Sequence, residues 1–175
     1  MQLEDMIIVS VDDHAVESPE AFVRHYPADK KARAPKIIDK DGKDVWLWDG
    51  KIYPTIGLNA VVGRPRSEYG MEPTRFEQLR PGCFDPKARV DDMNVNGIAS
   101  SLNFGSKVGM DGGRFYRAPD RDIALVHLRA YNDWHIDEWC APYPDRLIPC
   151  AILPNWNMDE SVREIERIAA KGCTA

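Results

Sequence analysis

The sequence predicts an α/β fold with a parallel sheet. Three observations lead to this prediction: short apolar segments alternate with helical segments, the first apolar segment is hydrophobic on both faces, and the last helix has clear start and stop signals. Strands that alternate with helices favour a parallel sheet with right-handed crossover connections. The chain corresponds to one domain, residues 1–175, and its 43% hydrophobic content is enough for a core.

The first strand is predicted over residues 3–11, LEDMIIVSV, whose second half is apolar on both faces, as in a parallel sheet covered on both sides. Asp12, Asp13 and His14 follow directly, where α/β folds carry their active sites. Because side chains alternate along an extended backbone, Asp12 and His14 should point the same way. Such a carboxylate and imidazole can bind one divalent metal ion. In the alternative interpretation, Asp12 caps the following turn and His14 is an ordinary polar residue.

A long excursion, residues 17–81, follows the first strand and is rich in Pro, Gly, Arg and Asp. Residues 44–54 contain DVWLWDGKIY, in which Asp49-Gly50 separates two β-prone arms. This dipeptide is the strongest short signal for a β-hairpin. We therefore expect one hairpin within an otherwise irregular segment.

The next helix is predicted from Pro86 to Met93, because Asp85 can cap it and proline is tolerated at the first helical position. A second strand is then predicted from about Ile98 to Phe104. These two elements complete the first strand-to-strand crossover of the predicted sheet.

The second half of the chain predicts a long helix from Asp120 to near Pro142, a strand over residues 146–153, and a final helix between Asn157 and Gly172. The apolar stripe of the long helix consists of Leu125, Leu128, Asn132, Ile136 and Trp139, and that of the final helix of Met158, Val162, Ile165 and Ala169. We expect Asn132 to tie its helix to a neighbouring loop, since a buried amide needs partners. The opposite face of the final helix is charged and is expected to be solvated.

Five further residues are candidates for a pocket or for the core. Glu17 could orient His14 or simply cap the next turn. Asn103 and Phe104, at the end of the second strand, are expected to face a substrate pocket, with ordinary packing as the alternative. His127 and His135 lie eight residues apart, too far for the i, i+4 pairing of metal ligands, and are expected at a helix surface or core edge.

Composition excludes several classes of function. A net charge of −5 gives no basic surface for nucleic acid or anionic lipid, and no apolar run approaches the ~20 residues that span a bilayer. The four cysteines are widely separated and indicate neither a zinc site nor a disulfide framework. We expect a cytoplasmic protein whose partners are small molecules or other proteins.

Several segments together resemble one enzyme family over essentially the whole chain, in the right order. The segments are SVDDHAVESPEAF, DVWLWDGKIY, DPKARVDDMNVNGIASSLNFGS, AYNDW and PDRLIPCAILP. They resemble the amidohydrolase-related enzymes of the amidohydrolase superfamily, in particular the aminocarboxymuconate semialdehyde decarboxylase-like branch. The resemblance implies that the chain is the N-terminal portion of a (β/α)8 TIM-type barrel. It also implies a first strand with an H-x-H motif, or an acidic variant of it, that binds metal.

In this sequence that motif falls on Asp12 and His14. The resemblance implies one divalent metal ion, which could be zinc, manganese, iron or magnesium, and the acidic first ligand shifts the preference away from zinc. The other ligands and the catalytic residues are expected beyond residue 175. The favoured function is a metal-dependent hydrolase or carboxy-lyase, which acts on a small carboxylic acid by hydrolysis or non-oxidative decarboxylation. The alternative is a truncated, non-catalytic relative that self-associates or binds another chain. A homo-oligomer is expected.

Overall fold

The computed structural model describes residues 2, 5–57, 65–69, 73–109 and 112–175. The strands are β1 (Ile8–Ala15), β2 (Lys36–Lys40), β3 (Lys43–Trp48), β4 (Lys51–Tyr53), β5 (Ile98–Gly105) and β6 (Leu147–Ile148). The helices are α1 (Ala21–His25), α2 (Pro86–Val95), α3 (Gly113–Tyr116), α4 (Arg121–Asp133) and α5 (Met158–Ala169), with a π-helical segment at Trp134–Cys140. Short 3-10 turns lie at Ala28–Arg33, Arg66–Glu68, Phe76–Gln78 and Pro81–Cys83. The strands β1, β5 and β6 form a parallel sheet, which confirms the mixed α/β class.

β1 lies at the edge of this sheet and differs from its prediction in two ways. The strand begins at Ile8 and continues to Ala15, because β5 pairs with it as far as Gly105. Asp12 and His14 therefore lie within the strand and not after it. Leu3 and Glu4, with which the predicted strand begins, lie outside the described residues. The apolar side chains are also not covered on both sides, since Val11 is 66% exposed.

A second, antiparallel sheet joins β2, β3 and β4. Asp49 and Gly50 both have positive φ between β3 and β4, as a two-residue hairpin turn requires. β2 was not predicted, although Asp41-Gly42 carries the same turn signal and the same positive φ values. The sheet packs against α1 through the rings of Phe22 and Trp46, whose centroids lie 5.5 Å apart.

The long predicted helix changes its geometry halfway. α4 ends at Asp133, and the next seven residues are π-helical, with the Ala141 N–H bonded to the Ile136 carbonyl five residues earlier at 2.9 Å. The side chain of Asn132 accepts from the Ile152 N–H and donates to the Ile152 carbonyl, both at 2.9 Å. The prediction that Asn132 ties the helix to a neighbouring loop is confirmed.

The final helix, α5, is capped by Asn157 as predicted, but the prediction of its buried face is wrong. Met158, Val162 and Ile165 are 71%, 53% and 47% exposed, whereas Ser161, Glu164 and Ile168 are buried. Glu164 is fully buried because it accepts hydrogen bonds from Asn132, Arg129 and Arg167. This polar network turns the helix so that its apolar stripe faces solvent.

The third strand is shorter than predicted. β6 contains only Leu147–Ile148, since Pro149 has no N–H to continue the ladder. The chain then runs beside its own C-terminus, where the Ala151 N–H bonds the Ala175 carbonyl at 3.0 Å. Among the described residues, no helix combines the length and apolar character that crossing a membrane requires.

Candidate metal-binding site at the end of the first strand

Asp12 and His14 are both exposed near the carboxyl end of β1 and flank the half-buried Asp13. His14 pairs in register with Phe104 of β5, and the two rings lie 6.2 Å apart between centroids. The register shifts between Ser10 and Asp13, so simple alternation along β1 does not determine the direction of the Asp12 side chain. The structure thus brings His14 and Phe104 to one face.

Asp13 and Asn103 occupy the opposite face of the same strand pair. The Ser101 hydroxyl donates to Asp13 at 2.5 Å and accepts from the Asn103 amide at 3.0 Å, and the Trp139 indole N–H donates to the Asn103 side-chain oxygen at 3.0 Å. Asn103 is 1% exposed. The expectation that Asn103 shares a pocket with Phe104 is therefore corrected, because adjacent strand residues point to opposite faces and the Asn103 amide is bonded to the helical layer.

The main chain around His14 is held firmly while the side chain stays free. Arg89 donates to the His14 carbonyl at 2.5 Å and to the Gly82 carbonyl at 2.7 Å, and its guanidinium lies 5.8 Å from the Trp139 ring centroid. The Val16 N–H bonds the Cys83 carbonyl at 2.7 Å. The end of β1 is thus a rigid base for the side chains it presents.

The donor atoms at this strand end suit a divalent cation. Within the described part of the chain, neither the Asp12 carboxylate nor the His14 imidazole takes part in a hydrogen bond or ion pair. Carboxylate oxygen and imidazole nitrogen are common ligands of zinc, manganese and iron. No group of three or more His, Cys, Asp or Glu residues that could hold a metal occurs among the described residues. A complete metal site usually has at least three protein ligands, and Asp12 and His14 could supply two of them.

Glu17 binds the main chain of the loop that follows β5. Its carboxylate is fully buried and accepts the main-chain N–H groups of Lys107 at 2.8 Å and of Val108 at 3.2 Å. Of the two alternatives for Glu17, orienting His14 or capping the next turn, the first has no hydrogen bond to support it among the described residues. Burial raises the pKa of Glu17, and the hydrogen bonds from the Lys107 and Val108 main chain oppose that shift.

Gly105 allows this close approach of Glu17. A Cβ at Gly105 would lie 2.6 Å from the Glu17 oxygen and 2.7 Å from atoms of Tyr131 and Val108. We expect Gly105→Ala to lower the free energy of unfolding by about 1–3 kcal/mol, as overpacking does, which urea denaturation would measure. At an unstrained site the same substitution stabilises by about 0.4–1 kcal/mol, so any gain in stability would contradict the crowding.

A buried amine that the sequence did not indicate lies next to Glu17. Lys107 is 1% exposed, and its Nζ lies 4.8 Å from the ring centroid of Trp48 and 4.9 Å from that of Tyr53, with Phe22 and Trp46 within 6 Å. Burial lowers the pKa of Lys107 to about 7, with the charge of Glu17 acting in the opposite direction. No local pattern marks a lysine for burial, because the four rings come from two distant segments.

Both helix histidines are buried, and their expected position at a helix surface or core edge is wrong. His127 is stacked on Trp48 at 4.5 Å, and its Nδ1 lies 3.0 Å from the Tyr26 hydroxyl. His135 donates from Nε2 to the Asn103 carbonyl at 2.9 Å. Burial lowers the pKa of His135 to about 4 and that of His127 well below its ordinary value. Both are neutral core residues, so neither is offered to a metal or substrate.

Comparison with solved structures finds similar chains. An amidohydrolase from Mycobacterium avium subsp. paratuberculosis K-10 matches with a TM-score of 0.72 and 17% identity, over 97% of this chain and 48% of that one. A 2,6-dihydroxybenzoate decarboxylase from Rhizobium matches with a TM-score of 0.48 and 18% identity, over 96% of this chain and 36% of that one. No protein-family model and no curated protein matches the sequence. This chain thus shares the fold of about half of the amidohydrolase chain.

Proposed function

We propose that this chain supplies the N-terminal part of a (β/α)8 barrel enzyme of the amidohydrolase superfamily, in the aminocarboxymuconate semialdehyde decarboxylase-like branch. The observation that carries the proposal is that the Asp12 carboxylate and the His14 imidazole, near the carboxyl end of a parallel strand, have no hydrogen-bond partner among the described residues. Active sites of such barrels lie at this end of the strands. The amidohydrolase fold shared over 97% of this chain supports the same assignment.

The uncovered apolar surfaces are consistent with further barrel units. Val11 of the edge strand and Met158, Val162 and Ile165 of α5 are exposed, although a parallel sheet is normally covered on both faces. Additional strand and helix pairs would bury such surfaces, as would a second copy of the chain. We therefore propose that the active protein contains more chain than these elements, and that it forms a homo-oligomer.

In this proposal Asp12 and His14 hold one divalent metal ion, with zinc, manganese, iron and magnesium as candidates. When bound, the ion would supply Lewis-acid and template chemistry for a small carboxylic acid. Arg89 fixes the main chain from which the His14 ring projects. Phe104 would provide an apolar wall beside His14. The reaction is a hydrolysis or a non-oxidative decarboxylation.

Metal titration of the purified protein tests the ligand pair. We expect the double variant Asp12→Ala, His14→Ala to bind Zn²⁺ and Mn²⁺ at least about tenfold more weakly, because even residues that only support a ligand change metal affinity by about 10–100-fold. Calorimetry and metal analysis after dialysis measure the affinity and the metal content.

Asp13→Asn is the matched control. Asp13 is the neighbouring carboxylate, but it points to the opposite face and accepts from Ser101, so its replacement should leave metal affinity unchanged. Equal metal content in the wild type and the double variant would refute the ligand assignment, and a loss in Asp13→Asn alone would move the site to the other face.

A further inference from the structure

A cavity lies between the β3–β4 hairpin and α3. It has a volume of about 220 Å³, and its described lining includes the cationic side chains of Lys51, Arg114 and Arg117 and the rings of Trp48 and Tyr53. Asp12, His14 and Phe104 do not line it. The cavity therefore combines positive charge with flat aromatic walls.

The positive charge at this cavity is not balanced by the acidic groups around it. Arg114 is half-buried with its guanidinium 5.0 Å from the Tyr53 ring centroid, and within the described residues it forms no ion pair; it donates to the Lys107 carbonyl. Arg117 and Lys51 are exposed and likewise form no ion pair in the described chain. The lining carboxylate, Asp49, is already paired with Arg33 at 2.7 Å.

The residues behind the aromatic wall do not supply Arg114 with an ion-pair partner among the described residues. The Nζ of the buried Lys107 lies within 5 Å of the ring centroids of Trp48 and Tyr53. The nearby carboxylate of Glu17 accepts hydrogen bonds from the main-chain N–H groups of Lys107 and Val108. Burial lowers the pKa of Arg114, and the electrostatic interactions with Glu17 and Tyr53 oppose that shift. A cation that is removed from water without a partner is costly, and an anionic ligand would supply the missing partner.

We propose that this cavity binds a small planar organic anion through a carboxylate held by Arg114 and Arg117, with the rest of the ligand against the half-exposed ring of Tyr53. The arginine fork matches carboxylate geometry in two parallel hydrogen bonds. The size agrees, because a cavity of about 150 Å³ is enough to hold benzene. Aromatic walls favour a flat organic group over inorganic phosphate, which is polar on every side. This site does not depend on the proposed metal chemistry.

Calorimetric titration with benzoate, in the presence of EDTA, tests the inference on the purified protein. We expect one benzoate per chain, benzamide at least tenfold weaker because it lacks the charge, and inorganic phosphate weaker than benzoate. Arg114→Gln should weaken benzoate about tenfold, since hydrogen bonds to charged groups are the strong ones. Arg117→Gln should weaken it about threefold, because Arg117 is exposed.

Two more variants keep the test decisive. Ala118→Leu fills the cavity without changing its charge, because Ala118 lines it and is 8% exposed; it should abolish benzoate binding even if Arg114→Gln fails to fold. Arg163→Gln, at an exposed arginine of α5, should leave binding unchanged. Benzoate binding that survives Ala118→Leu would overturn the proposal, and so would phosphate binding more tightly than benzoate. Loss of benzoate binding in the double variant Asp12→Ala, His14→Ala would instead place the anion at the end of β1. If that variant loses metal binding but still binds benzoate, the two sites are separate.

Discussion

Glu164→Ala is expected to lower the free energy of unfolding by about 3 kcal/mol. The Glu164 side chain is fully buried and accepts from Asn132 at 2.8 Å, from Arg129 at 3.1 Å and from Arg167 at 2.7 Å. Breaking a buried ion pair by removing one partner costs about 3–5 kcal/mol. The lower end of this range applies because both arginines are partly exposed and each retains a second ion pair, Arg129 with Glu160 and Arg167 with Asp133. Urea denaturation at pH 7 measures the loss.

Glu166→Ala is the matched control on the same helix. Glu166 is exposed, so its replacement should change stability by no more than about 0.5 kcal/mol. Equal effects of the two substitutions would show that the buried network does not hold α5 in place.

The pH dependence of Glu164→Gln provides a second check on the network. Burial acts to raise the pKa of Glu164, but Arg167, Asn132 and Arg129 outweigh it and hold the pKa below the ordinary 4.5. A carboxyl with a lowered folded-state pKa contributes stability above pH 4.5 and loses it as the pH falls through the folded value. The difference between wild type and Glu164→Gln should therefore shrink below about pH 4.5, and a constant difference would contradict the assignment.

Lys107→Met is expected to stabilise the protein near pH 7, by up to about 4 kcal/mol. The folded state lowers the pKa of Lys107 from 10.5 to about 7, and each pKa unit corresponds to about 1.36 kcal/mol. Between these values the unfolded chain holds a proton that the folded chain has released, so wild-type stability rises with pH. The advantage of the methionine should be complete near pH 7 and disappear near pH 10.5.

Urea denaturation between pH 7 and pH 10 measures this trend for both proteins. Lys36→Met serves as the control, because Lys36 is exposed and its replacement should give no pH-dependent difference. A destabilising Lys107→Met at pH 7 would mean that the contacts of the amine with the four rings and His127 outweigh the desolvation of its charge.

Local signals in the sequence predicted much of the order of elements. Asp85 and Asn157 accept hydrogen bonds from main-chain N–H groups at the starts of α2 and α5, and Asp49-Gly50 occupies a turn with positive φ. The predicted second strand differs from β5 by one residue at its end. These features depend on contacts within about four residues, so the sequence window contains both partners.

The sequence by itself determined the order of the parallel strands and the longer helices, the helix caps at Asp85 and Asn157, the Asp49-Gly50 turn, and Asp12 and His14 as a candidate site. Only the tertiary structure decided which faces are buried. Two of the three partners of Glu164, Asn132 and Arg129, lie 32 and 35 residues away on α4. The rings around Lys107 come from α1 and the antiparallel sheet. Charged groups are buried where distant partners compensate their desolvation, and a local hydrophobic pattern contains no information about those partners.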